Sequence, residues 1–173
     1  MSWLLPPVPQ GDLSAEQASL LAEWQLDRGQ ITPPGELWRV LLRSPAAMRA
    51  VGKLGAFART ATSLPETLRL VGVFAVVWQR GYAFEIAIQE RNLAAAGVPR
   101  HVVEAVRQRD YQNLPDGIRT VARLAYGIAD AGTVDARTAE AALVLLGDQA
   151  LVELAVVAAY FAMVADLAAA LSS

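Results

Sequence analysis

Leu68-Arg69-Leu70-Val71-Gly72-Val73-Phe74-Ala75-Val76-Val77-Trp78 is apolar almost all round. Read as a helix, such a stretch has no polar face to give to solvent and must be buried on nearly every side. Its valines and phenylalanine also suit a strand. A strand needs a partner, however, and no second strand pattern occurs in the chain. A lone strand is not viable. The stretch therefore predicts a central helix, and the fold class is all-α.

Helix signals recur on both sides of it. Upstream, residues 1–13 hold Pro6, Pro7 and Pro9 and read as an extended proline-rich arm. Ser14 with Gln17 three residues on forms a capping-box pattern, and Gly29 closes that helix. Thr32-Pro33 opens a short helix carrying Leu37, Trp38, Leu41 and Leu42. Ser44-Pro45 opens the next, with proline at the first helical position, where its missing N–H is no loss. Ser63 with Glu66 makes a second box pattern ahead of the central helix. Downstream, a helix runs from about Tyr82 to Ala96 and stops at Gly97. Pro99 starts another, with Val102, Val103 and Val106 on one face. Residues 110–117 read as a polar loop. Helices then cover roughly 117–131, 135–146 and 148–171, closed in turn by Gly132 and Gly147. About eight helices in one domain, 14–173, follow, joined by short loops as in a helical bundle.

Composition narrows the function classes. Hydrophobic residues make up 54% and charged residues 18% of the 173, which leaves little polar surface to cover a monomer. A homo-oligomer is expected, because obligate interfaces resemble domain cores cut in two. Net charge is −2 with no basic stripe, so nucleic acid is not an expected partner. There is no cysteine; thiolate catalysis, disulfides and thiolate metal sites are excluded. The single histidine, His101, makes a histidine-rich metal site implausible, and no metal is expected. Met1-Ser2-Trp3-Leu4-Leu5-Pro6-Pro7 lacks the pattern of a signal peptide. The most apolar stretch, Leu154 to Ala165, is shorter than the ~20 residues of a bilayer span. A cytoplasmic protein without membrane contact is expected.

Four pieces of the chain carry a family resemblance. Leu37-Trp38-Arg39-Val40-Leu41 with Ser44-Pro45-Ala46-Ala47-Met48-Arg49 is the first. Leu64-Pro65-Glu66-Thr67-Leu68-Arg69-Leu70-Val71 is the second. The third is Gly81-Tyr82-Ala83-Phe84-Glu85-Ile86-Ala87-Ile88-Gln89 with Ala94-Ala95-Ala96-Gly97-Val98. The fourth runs from Leu151-Val152-Glu153-Leu154 to Ala159-Tyr160-Phe161-Ala162-Met163-Val164. In order and spacing they resemble the carboxymuconolactone decarboxylase / alkylhydroperoxidase D superfamily over roughly residues 35–170. The resemblance implies an alkylhydroperoxidase D-like helical bundle, a trimer or a hexamer of trimers, a pocket near a subunit interface, and no cofactor.

The departures from that pattern decide the chemistry. The peroxidase branch uses a C-x-x-C pair, a histidine four residues after the second cysteine, and a glutamate on the preceding helix. Those positions here hold Tyr82, Glu85, Gln89 and Leu70. A phenol is no peroxide-reducing thiolate, an amide cannot shuttle a proton as imidazole does, and Leu70 titrates nothing. Thiol peroxidase activity is therefore ruled out. The decarboxylase reaction, which also leans on the histidine, is called into question.

What remains is a polar stripe. Glu85 and Gln89 stand at i and i+4 and share a helix face, with Tyr82 one turn earlier on the same side. A part-buried carboxylate is a usable general acid or base. Tyr82 can donate to an oxyanion or enolate, and Gln89 can orient a substrate. Arg69, on the buried helix, either pairs with Glu85 or Glu153 or grips a substrate carboxylate, and Trp78 is a candidate substrate contact. The alternative is that Glu85, Gln89 and Tyr82 are satisfied structural polar groups. Two functions follow. One is a cofactor-independent lyase or isomerase acting on a small organic acid, lactone or enolisable carbonyl compound. The other is a non-catalytic oligomeric scaffold or small-molecule binding protein. Arg80, Arg91 and, in the alternative, Trp78 read as solvated or interface residues, His101 as a non-catalytic residue in the first turn of a helix, and Asp110 and Asp116 as solvated loop carboxylates.

Overall fold

A computed structural model describes residues 3–26 and 35–172, without the side chain of Ala131. Among the described residues there are eight α-helices and no strand. They are α1 (Ala15–Leu26), α2 (Glu36–Leu41), α3 (Pro45–Thr60), α4 (Glu66–Gln79), α5 (Ala83–Ala95), α6 (Arg100–Arg107), α7 (Asp116–Ala131) and α8 (Ala136–Ala170). The expected closing glycine of the first helix, Gly29, and the expected Thr32-Pro33 start of the second lie outside the described residues. The chain divides into two compact units, residues 1–61 with 167–173, and residues 62–166.

The first unit gathers α1, α2 and α3. The box at Ser14 forms as its spacing requires. The Ser14 N–H donates to Gln17 Oε1 (2.9 Å), and the Gln17 N–H donates back to Ser14 Oγ (3.2 Å). Pro45 sits at the start of α3. Trp24 and Trp38 pack at a tilt, with centroids 5.0 Å apart. Trp24 lies so close to Gly52 that a Cβ there would come within 3.1 Å of the indole. The proline-rich arm is tied down by its carbonyls: Arg39 Nε donates to Val8 O (2.9 Å), and the Arg43 guanidinium donates to Pro6 O (2.7 and 3.0 Å).

The second unit is built round α4. Every residue from Leu70 to Val77 is buried, as an all-round apolar helix must be. Helices α5, α6 and α7 pack on it. Gly72 is the point of closest approach: a Cβ there would lie 2.9 Å from Leu154 and 3.4 Å from Val121. The second box does not form. The N-cap of α4 is Pro65, with no side-chain cap. Ser63 instead gives both its N–H (2.6 Å) and its O–H (2.8 Å) to the Glu153 carboxylate on α8, which takes both donors at once as Glu66 in a capping box would not. Gln149 donates to the same carboxylate. These donors, Gln149 first, hold the Glu153 carboxyl below its usual range.

Helix ends follow the glycines. Gly81 and Gly97 adopt φ of 66° and 75°. After Gly97, the Val98 N–H reaches back to Leu93 O, and after Gly81 the Tyr82 N–H reaches Val77 O; both are Schellman closures. Gly132 ends α7 at φ 67°. The two last helices predicted from sequence run together as α8, broken at Gly147, whose φ of 74° and ψ of 174° are not helical. Among the described residues, α8 alone is long and apolar enough by length and composition to cross a membrane, with a mean hydropathy of 2.0 over an 18-residue window. It is thus longer than the Leu154–Ala165 stretch considered above. Just over half of that window is buried inside the protein, with Leu154, Val157, Ala158 and Phe161 in the core, as in a core helix.

Candidate functional site

The site begins with the Schellman turn that ends α4. It delivers Tyr82 to the N-cap of α5, so Glu85 stands in the first turn, where a carboxylate interacts favourably with the helix dipole. The buried face of α5 is Glu85, Gln89 and Leu93, at i, i+4 and i+8. Most helices would fill such a face with apolar residues. Here a carboxylate and an amide occupy two of its three places, each only 2% exposed.

The two are joined. Gln89 Nε2 donates to Glu85 Oε2 at 3.2 Å, and Gln89 Oε1 accepts from Asn92 Nδ2 at 3.3 Å. The second bond holds the amide so that its NH2 end, not its oxygen, meets the carboxylate. Asn92 was missed in the sequence, although its place three residues after Gln89 on the same face was the available signal.

The other expected site residues are placed as follows. Tyr82 is half-buried, with its ring tilted on Phe84 at 6.1 Å. Arg69 is half-buried on α4. Trp78, 37% exposed, is stacked on Phe74 at 6.2 Å and covered by the Arg107 guanidinium 4.6 Å from its ring. Arg107 is itself paired with Glu90 and Glu104. Trp78 is thus the floor of a cation–π and ion-pair cluster. Arg80 pairs with Asp166 at 3.1 Å. His101 is exposed. Asp110 accepts from Asn113, and Asp116 pairs with Arg119.

A further phenol, that of Tyr126, is buried. Tyr126 donates to Val106 O at 2.9 Å, and burial pushes it up to about 12 against the opposing pull of Arg109. It stays a neutral donor. Among the described residues no group of three or more His, Cys, Asp or Glu is placed to hold a metal.

Clefts open on the described surface. One, of about 310 Å3, is lined by Arg119, Thr120, Arg123, Arg137, Thr138 and Ala141. Another is a dimple of about 20 Å3 beside Trp24 and Met48. Neither is lined by Glu85, Gln89 or Tyr82. Compared with known proteins, the chain matches no family model, no curated protein and no solved structure.

Proposed function

We propose that this chain is a thiol-free, divergent relative of the carboxymuconolactone decarboxylase / alkylhydroperoxidase D superfamily, and that Glu85 is its acid/base. The observation that carries the reading is the buried Gln89–Glu85 pair on α5. Burying a carboxylate costs several kcal/mol unless it is well compensated, and an apolar residue of similar volume is often as stable or more so. A fold that keeps such a group on a core-facing helix gives up stability there, which is the pattern of a working site.

The reaction class is proton transfer without a cofactor: decarboxylation, elimination, isomerisation or cyclisation of a small organic acid, lactone or enolisable carbonyl compound. Glu85 moves the proton. Gln89, locked by Asn92, fixes the carboxylate's orientation. Tyr82, at the helix entry, donates to the developing oxyanion. The protein works as a cytoplasmic homo-oligomer. Support for assembly comes from the apolar residues that α8 leaves exposed: Leu143, Val144 and Leu145 in succession, with Val152 beyond the Gly147 break.

The second reading, a non-catalytic scaffold or small-molecule binding protein, is favoured by one observation. Glu85 and Gln89 are nearly inaccessible, each 2% exposed. The deciding experiment screens γ-lactones, β-keto acids and enolisable ketones by NMR, with Glu85→Gln as the control. Turnover of one class, reduced by about a hundredfold or more in the variant, supports the enzyme. No turnover in any class, with wild type and variant equally inert, supports the scaffold. In either case purified protein gives no hydroperoxide reduction with a thiol reductant, since it has no thiolate. Peroxide turnover that tracks the protein would defeat the family reading of its chemistry.

A further inference from the structure

The helical hairpin of α7 and α8 makes a second feature unrelated to Glu85. Arg119, Thr120 and Arg123 stand at i, i+1 and i+4 on α7, and Arg137, Thr138 and Ala141 repeat that spacing on α8. Together they line the cleft of about 310 Å3. That volume is at the lower end of small-ligand sites. Three guanidinium groups share it, and no carboxylate is among its lining residues. In a chain of net charge −2, this is a concentrated positive field.

Two of the three cations are held before any ligand arrives. Arg119 Nε donates to Tyr111 O at 2.8 Å, and its Nη2 donates to Leu114 O at 2.9 Å and pairs with Asp116 at 3.0 Å. Among the described residues its Nη1 has no partner. Arg123 lies over the Tyr111 ring, 4.6 Å from its centroid. Tyr111 therefore positions both, by its carbonyl and by its ring. Arg137 is exposed, at the second position of α8. The nearest remaining carboxylate, Asp135, is spent on its own helix: it accepts the Thr138 N–H (2.9 Å) and O–H (2.7 Å). Those bonds, the hydroxyl first, hold it below the usual carboxylate range, with Arg123 adding to the effect. It is a capping group; its charge and that of Asp116 on Arg119 offset part of the cleft's positive charge, and three guanidinium groups against these two carboxylates leave the cleft net positive.

We infer that this cleft binds the oxyanion group, phosphoryl or carboxylate, of a small polyanionic ligand, with Arg119 and Arg123 as a preset cradle and Arg137 as a mobile clamp. Guanidinium forks match such oxygens in a bidentate geometry, and preset donors lose less entropy on binding. The site stands apart from the Glu85 reading.

The test is a titration of the full chain, followed by NMR, with inorganic phosphate in one arm and succinate in the other, at constant ionic strength set by chloride. Saturable shifts confined to residues 111–141 are expected. Tighter binding of phosphate marks a phosphoryl ligand, and tighter binding of succinate a dicarboxylate. Arg137→Ala, at an exposed position, should weaken the better probe about tenfold, as for loss of one charge-assisted hydrogen bond. Arg123→Gln should do the same. Absence of saturation by both probes, or affinity unchanged in both variants, overturns the inference.

Discussion

The polar face of α5 and the arginine cleft between α7 and α8 place charge in opposite ways. The first encloses one carboxylate at 2% exposure and sets an amide against it. The second leaves three cations round open space, with Asp116 on Arg119 and Asp135 engaged by its own helix's Thr138. A buried charge is held by the protein's own dipoles and is costly to disturb. An exposed one is screened by water and contributes little to stability. Taking a hydrogen-bond partner away from the enclosed face should therefore cost stability, whereas the isosteric Glu85→Gln, which removes only the charge, should cost little, and the cleft should respond in binding alone.

Gln89→Ala gives the largest expected change in stability. It removes one donor from a buried carboxylate and should lower unfolding free energy by about 2 kcal/mol, measured by urea denaturation. A change below about 0.5 kcal/mol would mean that the Gln89 bond is not what holds the Glu85 carboxylate in place.

The Glu153 carboxylate lies between the two extremes, since Gln149 and Ser63 surround it with donors. Its folded pKa is depressed. It therefore adds stability above the ordinary glutamate range near 4.3, and that stability is lost as pH falls through the folded value. Urea midpoints measured from pH 6 downward should decline more steeply in wild type than in Glu153→Gln. Parallel curves would remove this contribution. At the small end, Arg137→Ala should leave stability within about 0.5 kcal/mol of wild type while weakening anion binding. A large loss of stability would mean that the cleft is a structural ion network.

The same contrast explains what could be read in advance. Periodicity made Leu68–Trp78 a buried helix and put Glu85 and Gln89 on one face, because side chains four apart on a helix must be neighbours. Gly97, Gly132 and Gly147 appear at the predicted ends, since each takes a positive φ that other residues resist; Gly81 does the same at the end of α4, where no closing glycine was expected. Ser63 was misread because its choice between Glu66 nearby and Glu153 ninety residues on is a tertiary matter. The depth of Glu85 was underestimated for the same reason. The arginine cleft was not seen at all. Arg119, Arg123 and Arg137 look like ordinary surface cations on two helices, and only the fold of the hairpin and the Tyr111 platform bring them round one space. The alkylhydroperoxidase D-like character of the bundle rests on sequence order and spacing and stays a proposal.

The central claim is that Glu85 is kept for chemistry rather than for stability. The most direct test measures Glu85→Gln twice, by urea unfolding and by turnover of the compound class that wild type converts. The account predicts turnover reduced about a hundredfold or more, with stability within about 1 kcal/mol of wild type. Turnover retained in a stable variant would contradict it, as would a loss of stability large enough to account for the lost activity.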